Sequence, residues 1–305
     1  MLLKKYILMR GRFIIRGSHP KKIFPARIVT SQSVVYSFTS EDNKNLVLSA
    51  KKIIGSGPDT LALEELKHPT KGFRKNRKSY QVSQNGEDYY IKLLYRNSPS
   101  LILADMVRLG KLNRSHTGVY GELIHTAFAK EAGLPVTDIR VYAESKVRLL
   151  RPRRSALIIS HIPKGAQSVT KLLRHSPEFF ENITHELILL IVRCWKSGVI
   201  HNDLHPGNII LCPNRGLYII DWESIHVSSS PSKELLSYIF GYFLSIRTLQ
   251  VKQKSYHFFM RKLCNSLGDI FGVSIANQMM LDIENWKENI GNWKKIQLVF
   301  VYIKD

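Results

Sequence analysis

The fold of this chain is decided by Gly198–Glu223, whose sequence is GVIHNDLHPGNIILCPNRGLYIIDWE. Within it, the apolar runs Ile209–Leu211 and Leu217–Ile220 flank a Pro-Asn-Arg-Gly segment, a composition typical of a turn. Two short apolar runs around such a turn predict a β-hairpin. That hairpin would bring Asp221, which follows the second strand, back towards Asn208, which precedes the first.

Three polar side chains in this stretch have the chemistry that phosphoryl transfer from a metal-bound nucleotide needs. Asp203 and Asn208 are separated by a tight loop that contains Pro206 and Gly207, so both side chains can face one cleft. Asp203 would accept the proton of a substrate hydroxyl, while Asn208 and Asp221 would hold magnesium against the phosphates.

The spacing His201-x-Asp203-x4-Asn208, followed by Asp221 at a strand end, resembles the catalytic loop and metal-binding aspartate of the protein-kinase-like superfamily. The sequences Asp-Leu-His-Pro-Gly-Asn and Asp-Trp-Glu differ from eukaryotic protein kinases, whose second motif is Asp-Phe-Gly. They are similar to the bacterial lipopolysaccharide kinases that phosphorylate Kdo or heptose, and to aminoglycoside and choline phosphotransferases. Of these, the lipopolysaccharide kinases are the family that the chain resembles most.

This resemblance implies an α+β, two-lobed protein-kinase-like fold. An N-terminal lobe would hold an antiparallel sheet with one main helix, and the C-terminal lobe would be mostly helical. We expect residues 1–78 to form a basic N-terminal extension that adds strands to the sheet, 79–162 the N-lobe and 163–305 the C-lobe. The implied cofactors are ATP and Mg²⁺.

A lysine and a glutamate upstream fit the same pattern. After an Asn-Gly turn, Tyr89–Tyr95 is an aromatic and aliphatic strand with Lys92 at its centre. Residues 118–133 then predict a helix that a glycine ends. The resemblance assigns Lys92 to the nucleotide phosphates and Glu122 to an ion pair with Lys92. Glu131 is a rival partner, although its place near the helix end favours a solvated carboxylate.

The apolar segment 155–165 resembles the hinge whose backbone pairs with adenine, and Ser160 and Ile162 are the candidates for this contact. No Gly-x-Gly-x-x-Gly precedes Lys92. Either residues 81–86 form a glycine-poor loop over the phosphates or the lobe is built differently, and Gly55–Gly57 is expected to mark a loop. The Asp-Trp-Glu motif lacks the glycine of the protein-kinase motif, so an activation-loop flip is not supported.

Two helices are predicted in the second half of the chain. Ser176 and Pro177 form a helix start, and an apolar residue then recurs at every fourth position until Gly198. This helix would lead directly into the catalytic loop. The apolar run 235–246 predicts a buried helix, because it is too short to span a membrane.

Other readings of the polar residues are less favoured. His201, Asp203 and His205 could form a transition-metal site, but a structural histidine that hydrogen-bonds the loop fits the resemblance better. The three cysteines are scattered along the chain, so neither disulfides nor a zinc site is expected. We therefore expect the protein in a reducing compartment.

Basic residues dominate the composition. Lysine and arginine outnumber aspartate and glutamate by 45 to 24, which gives a net charge of +21. The densest blocks are residues 71–78 and 146–154. Such blocks attract polyanions, either phosphorylated glycolipid, an anionic membrane face or nucleic acid, although a charge run is often only a solvated face.

We therefore expect a kinase that transfers the γ-phosphoryl group of ATP to a hydroxyl of a lipopolysaccharide core sugar or related envelope glycolipid. We expect it in the cytoplasm, with peripheral contact through its basic blocks to the inner face of the cytoplasmic membrane, and we expect no nucleic-acid partner. One alternative is a small-molecule phosphotransferase of the aminoglycoside or choline kinase type. The other is an inactive kinase-like module that binds polyanions.

Overall fold

The computed structural model describes residues 6–9, 12–15, 26–30, 33–37, 41–56, 64–65, 77–84, 86–96, 119–145, 154–175, 177–213, 215–223, 225–245 and 253–289. Within these residues the chain is α+β, with an antiparallel sheet in its N-terminal part and a mostly helical C-terminal part. This confirms the fold class that the sequence predicts.

The strands and helices follow one another along the chain as two groups, mostly strands first and mostly helices later. The strands are β1 Tyr6–Met9, β2 Arg12–Ile15, β3 Ala26–Val29, β4 Ser33–Ser37, β5 Glu64–Glu65, β6 Arg77–Gln84, β7 Glu87–Arg96, β8 Ile139–Ser145, β9 Arg154–Ile162, β10 Gln167–Ser168, β11 Val199–His201, β12 Ile209–Cys212, β13 Gly216–Ile219 and β14 Ile225–Val227. The helices are α1 Glu41–Ser56, α2 Val119–Glu131, α3 Val169–His175, α4 Pro177–Ser197, α5 Lys233–Ser245, α6 Gln253–Phe271 and α7 Val273–Asn289.

Seven of the described strands form one antiparallel sheet in the order β3-β4-β8-β9-β7-β6-β5. Successive side chains of a strand point to opposite faces of the sheet, and a different helix covers each face. On one face, Ile91 and Leu93 of β7 pack with apolar residues of α1. On the other face, Ile158 of β9 packs with Leu123 of α2. Lys92 lies opposite Ile158 in the register, so its side chain belongs to the face that α2 covers.

The N-terminal region contributes a helix as well as strands. Strands β3 and β4 join the sheet through β8. Helix α1 is a second helix on the sheet, and the expected loop around Gly55 is wrong because Gly55 and Ser56 lie in its last turn. The helical signal was present in the spacing of the buried residues that α1 places on the sheet, which are Leu46, Val47, Ala50, Ile53 and Ile54.

The C-terminal part is built around two helices that the sequence predicts. Helix α4 begins at Pro177 and is followed by Gly198, which has a φ of +70°. A Cβ at Gly198 would lie 2.2 Å from the carbonyl oxygen of Ser228, so only glycine allows strand β11 to start there beside β14. Helix α5 is buried along residues 235–244 and packs against α7 and α4.

Some predictions fall on residues that are not described. The basic blocks 71–78 and 146–154 lie outside the described residues except for Arg77, Lys78 and Arg154. The boundaries at 78/79 and 162/163 remain predictions. Among the described helices, none combines the length and the apolar character that crossing a membrane requires.

Candidate active site

The sheet and the C-terminal part meet at a buried lysine with two carboxylates. The Nζ atom of Lys92 lies 2.8 and 2.7 Å from the two carboxylate oxygens of Glu122. It also lies 2.7 Å from Oδ1 of Asp221, which is 129 residues further along the chain. The Lys92 and Glu122 side chains are 5% and 6% exposed, and Asp221 is 28% exposed. The ammonium group is therefore held between α2 and the strand that ends before Asp221.

Glu122, and not Glu131, is the glutamate that contacts Lys92. Glu122 lies in the first turn of α2 over the sheet, whereas Glu131 is exposed at the end of that helix. Burial raises the pKa of Glu122 to about 7, and the neighbouring Asp221 carboxylate also raises it, while Lys92 opposes both effects. The carboxyl group of Glu122 therefore titrates near neutral pH.

The predicted hairpin positions Asp221 beside the Asp203–Asn208 loop. Strands β12 and β13 pair from Ile209 opposite Ile219, and the N–H of Ile220 donates to the carbonyl oxygen of Asn208 at 2.9 Å. Asp221 has a φ of +65°, a left-handed conformation that a residue other than glycine rarely adopts. This conformation turns the chain out of β13 at the point where the Asp221 carboxylate contacts Lys92.

His201 is a structural residue of the loop. Its Nε2 lies 3.1 Å from the carbonyl oxygen of Ile220 and 3.0 Å from that of Asp221, while its Nδ1 accepts from the N–H of Asp203 at 3.1 Å. These partners require the proton on Nε2. Burial lowers the pKa of His201, so the imidazole stays neutral. Both ring nitrogens are therefore in use, and a transition-metal site at His201 does not fit.

Asn208 and Asp221 fit a magnesium ion by the chemistry of their donor atoms. The amide Nδ2 of Asn208 donates to the carbonyl oxygen of Asp203 at 2.9 Å, which leaves its Oδ1 as the atom able to bind a cation. Carboxylate and amide oxygens are the hard ligands that Mg²⁺ prefers. Glu223 was not selected from the sequence, although its carboxylate lies within 4.8 Å of those of Glu122 and Asp221.

Asp203 is partly exposed, with 34% of its side chain accessible. Its Oδ1 accepts a hydrogen bond from the phenol of Tyr242 on α5, with 2.5 Å between the oxygens. Its Oδ2 lies 3.8 Å from Nε2 of His205. The Nδ1 of His205 accepts from the N–H of Gly207 at 3.0 Å, which shapes the turn before Asn208. Sequence reasoning missed Tyr242, because no local pattern relates residues 39 positions apart.

A second contact joins α2 to the segment around Asp221. His125 lies one turn after Glu122, and its Nδ1 donates to the carbonyl oxygen of Trp222 at 3.0 Å. The Trp222 side chain is 1% exposed, and its indole N–H donates to the carbonyl oxygen of Ile219. Helix α2 is thus held to this segment both by the Lys92 ion pairs and by the main chain of Trp222.

Ser160 and Ile162 lie at the end of β9. Ser160 is opposite Tyr90 of β7 on one side and Ile139 of β8 on the other. Ile162 ends the strand opposite Asp88. Tyr90 precedes Lys92 by two residues, so Ser160 and Lys92 share one face of the sheet. These positions leave the nucleotide contacts of Ser160 and Ile162 as a proposal.

Comparison with protein families finds a match to this part of the chain. A family model described as the phosphotransferase enzyme family, APH, matches residues 150–229. The match includes Asp203, Asn208 and Asp221 and supports a kinase-type phosphotransferase of the protein-kinase-like superfamily. The comparison with curated proteins found no match.

Proposed function

We propose that this protein is an ATP-dependent kinase that phosphorylates a hydroxyl group of an anionic sugar, with an envelope glycolipid such as the lipopolysaccharide core as the preferred class. The observation that carries this proposal is the buried contact of Lys92 with both Glu122 and Asp221 beside the Asp203–Asn208 loop. A lysine between two carboxylates, near a partly exposed aspartate, is suited to binding phosphates and activating a hydroxyl.

Each residue of the site has a role in this proposal. Lys92 neutralises the charge of the α- and β-phosphates, and Glu122 orients Lys92. Ser160 and Ile162 would contact the adenine. As the bond between the γ-phosphorus and the bridging oxygen breaks, the acceptor oxygen bonds to phosphorus and its proton passes to Asp203. The products are a phosphate ester and ADP, and catalysis comes mainly from positioning and charge stabilisation.

The metal ion in this proposal is Mg²⁺, held by Asn208 and Asp221. Its chemistry there would be to neutralise the phosphate oxygens and align the nucleotide. Asp221, whose Oδ1 contacts Lys92, is proposed to bind the ion through its carboxylate. The backbone bond between Ile220 and Asn208 keeps the two ligand residues adjacent.

The basic composition supports an anionic acceptor. With a net charge of +21, the chain would attract phosphorylated glycolipids and an anionic membrane surface. A cationic aminoglycoside would instead be expected to need an acidic pocket. We propose a cytoplasmic protein in peripheral contact with the inner membrane face, with no nucleic-acid partner. The three cysteines are free, which fits a reducing compartment.

A small-molecule phosphotransferase is the second candidate. The match to the phosphotransferase enzyme family favours it, since that match covers the catalytic loop and the metal-binding segment. The two candidates share every proposed site residue and differ only in the acceptor.

Transfer of label from [γ-³²P]ATP tests the proposal. The protein is incubated with Mg²⁺ and either extracted envelope glycolipid or a panel of aminoglycosides, choline and simple sugars. We expect label in the glycolipid, detected also as the added mass of a phosphate, and none with Asp203→Ala. Label only in a small molecule would favour the second candidate. Polyanion binding with no turnover of ATP under any condition would favour the inactive module.

A further inference from the structure

We propose that Tyr242 is a positioning residue for Asp203, holding one oxygen of that carboxylate so that the other receives the proton of the acceptor. This inference rests on the proposed function, because it needs Asp203 to be the proton acceptor. The resemblance to kinases does not supply it, since Tyr242 lies on α5, outside the catalytic loop and outside the matched residues 150–229.

The contact between the two residues is directional. The phenol oxygen of Tyr242 lies 2.5 Å from Oδ1 of Asp203, and an ionised carboxylate is only an acceptor, so Tyr242 is the donor. Hydrogen bonds to ionised groups are short and about twice as strong as neutral ones. The bond therefore restrains the rotation of the Asp203 side chain, which is otherwise 34% exposed.

Tyr242 is itself held in place. Its side chain is 5% exposed, and its ring stacks on Tyr238 of the same helix at a centroid distance of 6.3 Å. Tyr238 in turn contacts the edge of Trp286 on α7 at 5.3 Å. Burial and the Asp203 carboxylate both raise the pKa of Tyr242, so its phenol keeps its proton at any working pH. A rigid, permanently protonated donor suits a positioning role.

The two oxygens of Asp203 have different surroundings. Oδ1 is directed to Tyr242, whereas Oδ2 lies 3.8 Å from Nε2 of His205, which is too long for a direct hydrogen bond. Oδ2 is therefore the oxygen that remains able to accept a proton from the acceptor hydroxyl.

The matched experiment compares Tyr242→Phe with Tyr238→Phe. Both remove one phenol oxygen from the same buried helix face, one turn apart. The assays use MgATP with water as acceptor, with a fluorescent ADP analogue for nucleotide affinity. We expect Tyr242→Phe to lower kcat roughly tenfold or more, with nucleotide affinity changed less than about twofold. We expect Tyr238→Phe to retain most of the wild-type kcat.

A double-mutant cycle distinguishes positioning from general loosening of the core. If Tyr242 acts through Asp203, Tyr242→Phe should lower the rate no further in an Asp203→Asn background. An unchanged kcat in Tyr242→Phe, or an equal fractional loss in both backgrounds, overturns the inference. A wild-type protein that neither binds nor turns over MgATP overturns the proposed function instead, so the two failures differ.

Discussion

At the scale of single residues, Asp221 combines two demands that most side chains cannot meet together. Its backbone is left-handed, with a φ of +65°, and its carboxylate contacts Lys92. Asparagine and aspartate tolerate this backbone conformation better than other residues with a Cβ. The conformation and the charge can therefore be separated by substitution.

We expect Asp221→Asn to keep the fold and to lose the magnesium dependence of nucleotide binding. The amide tolerates the same φ but carries no charge for the ion. Titration of a fluorescent ATP analogue with and without Mg²⁺ measures nucleotide affinity. In the presence of the metal, Asp221→Asn should bind more than about tenfold more weakly than the wild type. Asp269→Asn, an exposed position on α6, is the control. Magnesium dependence equal to that of the wild type would contradict the ligand role.

Glu122 gives a prediction for stability as a function of pH. Its pKa is raised in the folded protein to about 7 from an ordinary 4.5, so the folded state binds the proton more tightly than the unfolded state. The free energy of unfolding should then fall as pH rises from about 4.5 to about 7, and Glu122→Gln should lack this component. The difference is on the order of 1–3 kcal/mol. Urea unfolding of both proteins at pH 5 and pH 7.5 measures it.

The result that contradicts this prediction is distinct. If the stability of the wild type relative to Glu122→Gln does not fall between pH 5 and pH 7.5, the ion pair with Lys92 outweighs burial and the pKa of Glu122 is not raised. Subtracting the unfolding free energy of Glu122→Gln from that of the wild type at each pH cancels the titration of the distant groups. The change of this difference between the two pH values then decides between burial and the ion pair.

At the scale of elements, helix α2 is held to the Asp221 segment by more than the ion pairs. The hydrogen bond from His125 to the carbonyl oxygen of Trp222 would be lost in His125→Leu, leaving a buried carbonyl without this donor. We expect nucleotide binding to weaken by about 1 kcal/mol, roughly fivefold in affinity, because α2 would hold Glu122 less firmly against Lys92. Calorimetric titration with MgATP measures it, with His185→Leu on the exposed face of α4 as control. Equal affinities would show that the ion pairs alone hold α2.

The packing of α5 against α7 depends on a glycine. A Cβ at Gly241 would lie 2.4 Å from Cβ of Trp286 and 3.0 Å from the carbonyl oxygen of Ile283, so the two helices would have to separate. We expect Gly241→Ala to destabilise the protein by roughly 1–3 kcal/mol in urea unfolding. At Gly268 of α6 a Cβ would meet nothing within 4 Å. Gly268→Ala should therefore raise the free energy of unfolding by about 0.5–1 kcal/mol. If both substitutions changed the free energy of unfolding in the same direction, the close packing of α5 on α7 at Gly241 would be contradicted.

At the scale of the whole molecule, the net charge of +21 is the property that the fold does not explain. Much of it lies in the first 80 residues, which carry 17 basic and 5 acidic side chains. Charge of this size has no role in forming a sheet or a helical lobe. It affects which partners and surfaces the protein meets.

We expect the protein to co-sediment with phosphatidylglycerol vesicles and not with phosphatidylcholine vesicles. Binding should weaken as salt rises from about 50 to 500 mM, because electrostatic attraction to a surface is screened over about a Debye length. A triple glutamine variant of Lys71, Arg74 and Lys75 should bind less than a matched variant of Lys44, Lys51 and Lys52 on α1. Binding that is equal for both lipids would exclude an electrostatic membrane contact.

Local patterns in the sequence were sufficient for much of this molecule. The turn between two apolar runs predicted the β12–β13 hairpin. Pro177 and Gly198 predicted where helix α4 begins and ends. The Asn-Gly turn and the aromatic and aliphatic run after it predicted strand β7 with Lys92 near its centre. The order of strand lysine, helix glutamate and catalytic loop carried the kinase resemblance.

Only the tertiary structure decided which of these groups meet. The contact of Lys92 with Asp221 joins residues 129 positions apart, and that of Tyr242 with Asp203 joins residues 39 apart. Local patterns constrain the backbone over a few residues, whereas such contacts depend on how separate elements pack. The choice of Glu122 over Glu131 and the neutral state of His201 both follow from packing, since burial sets both the contacts and the pKa values.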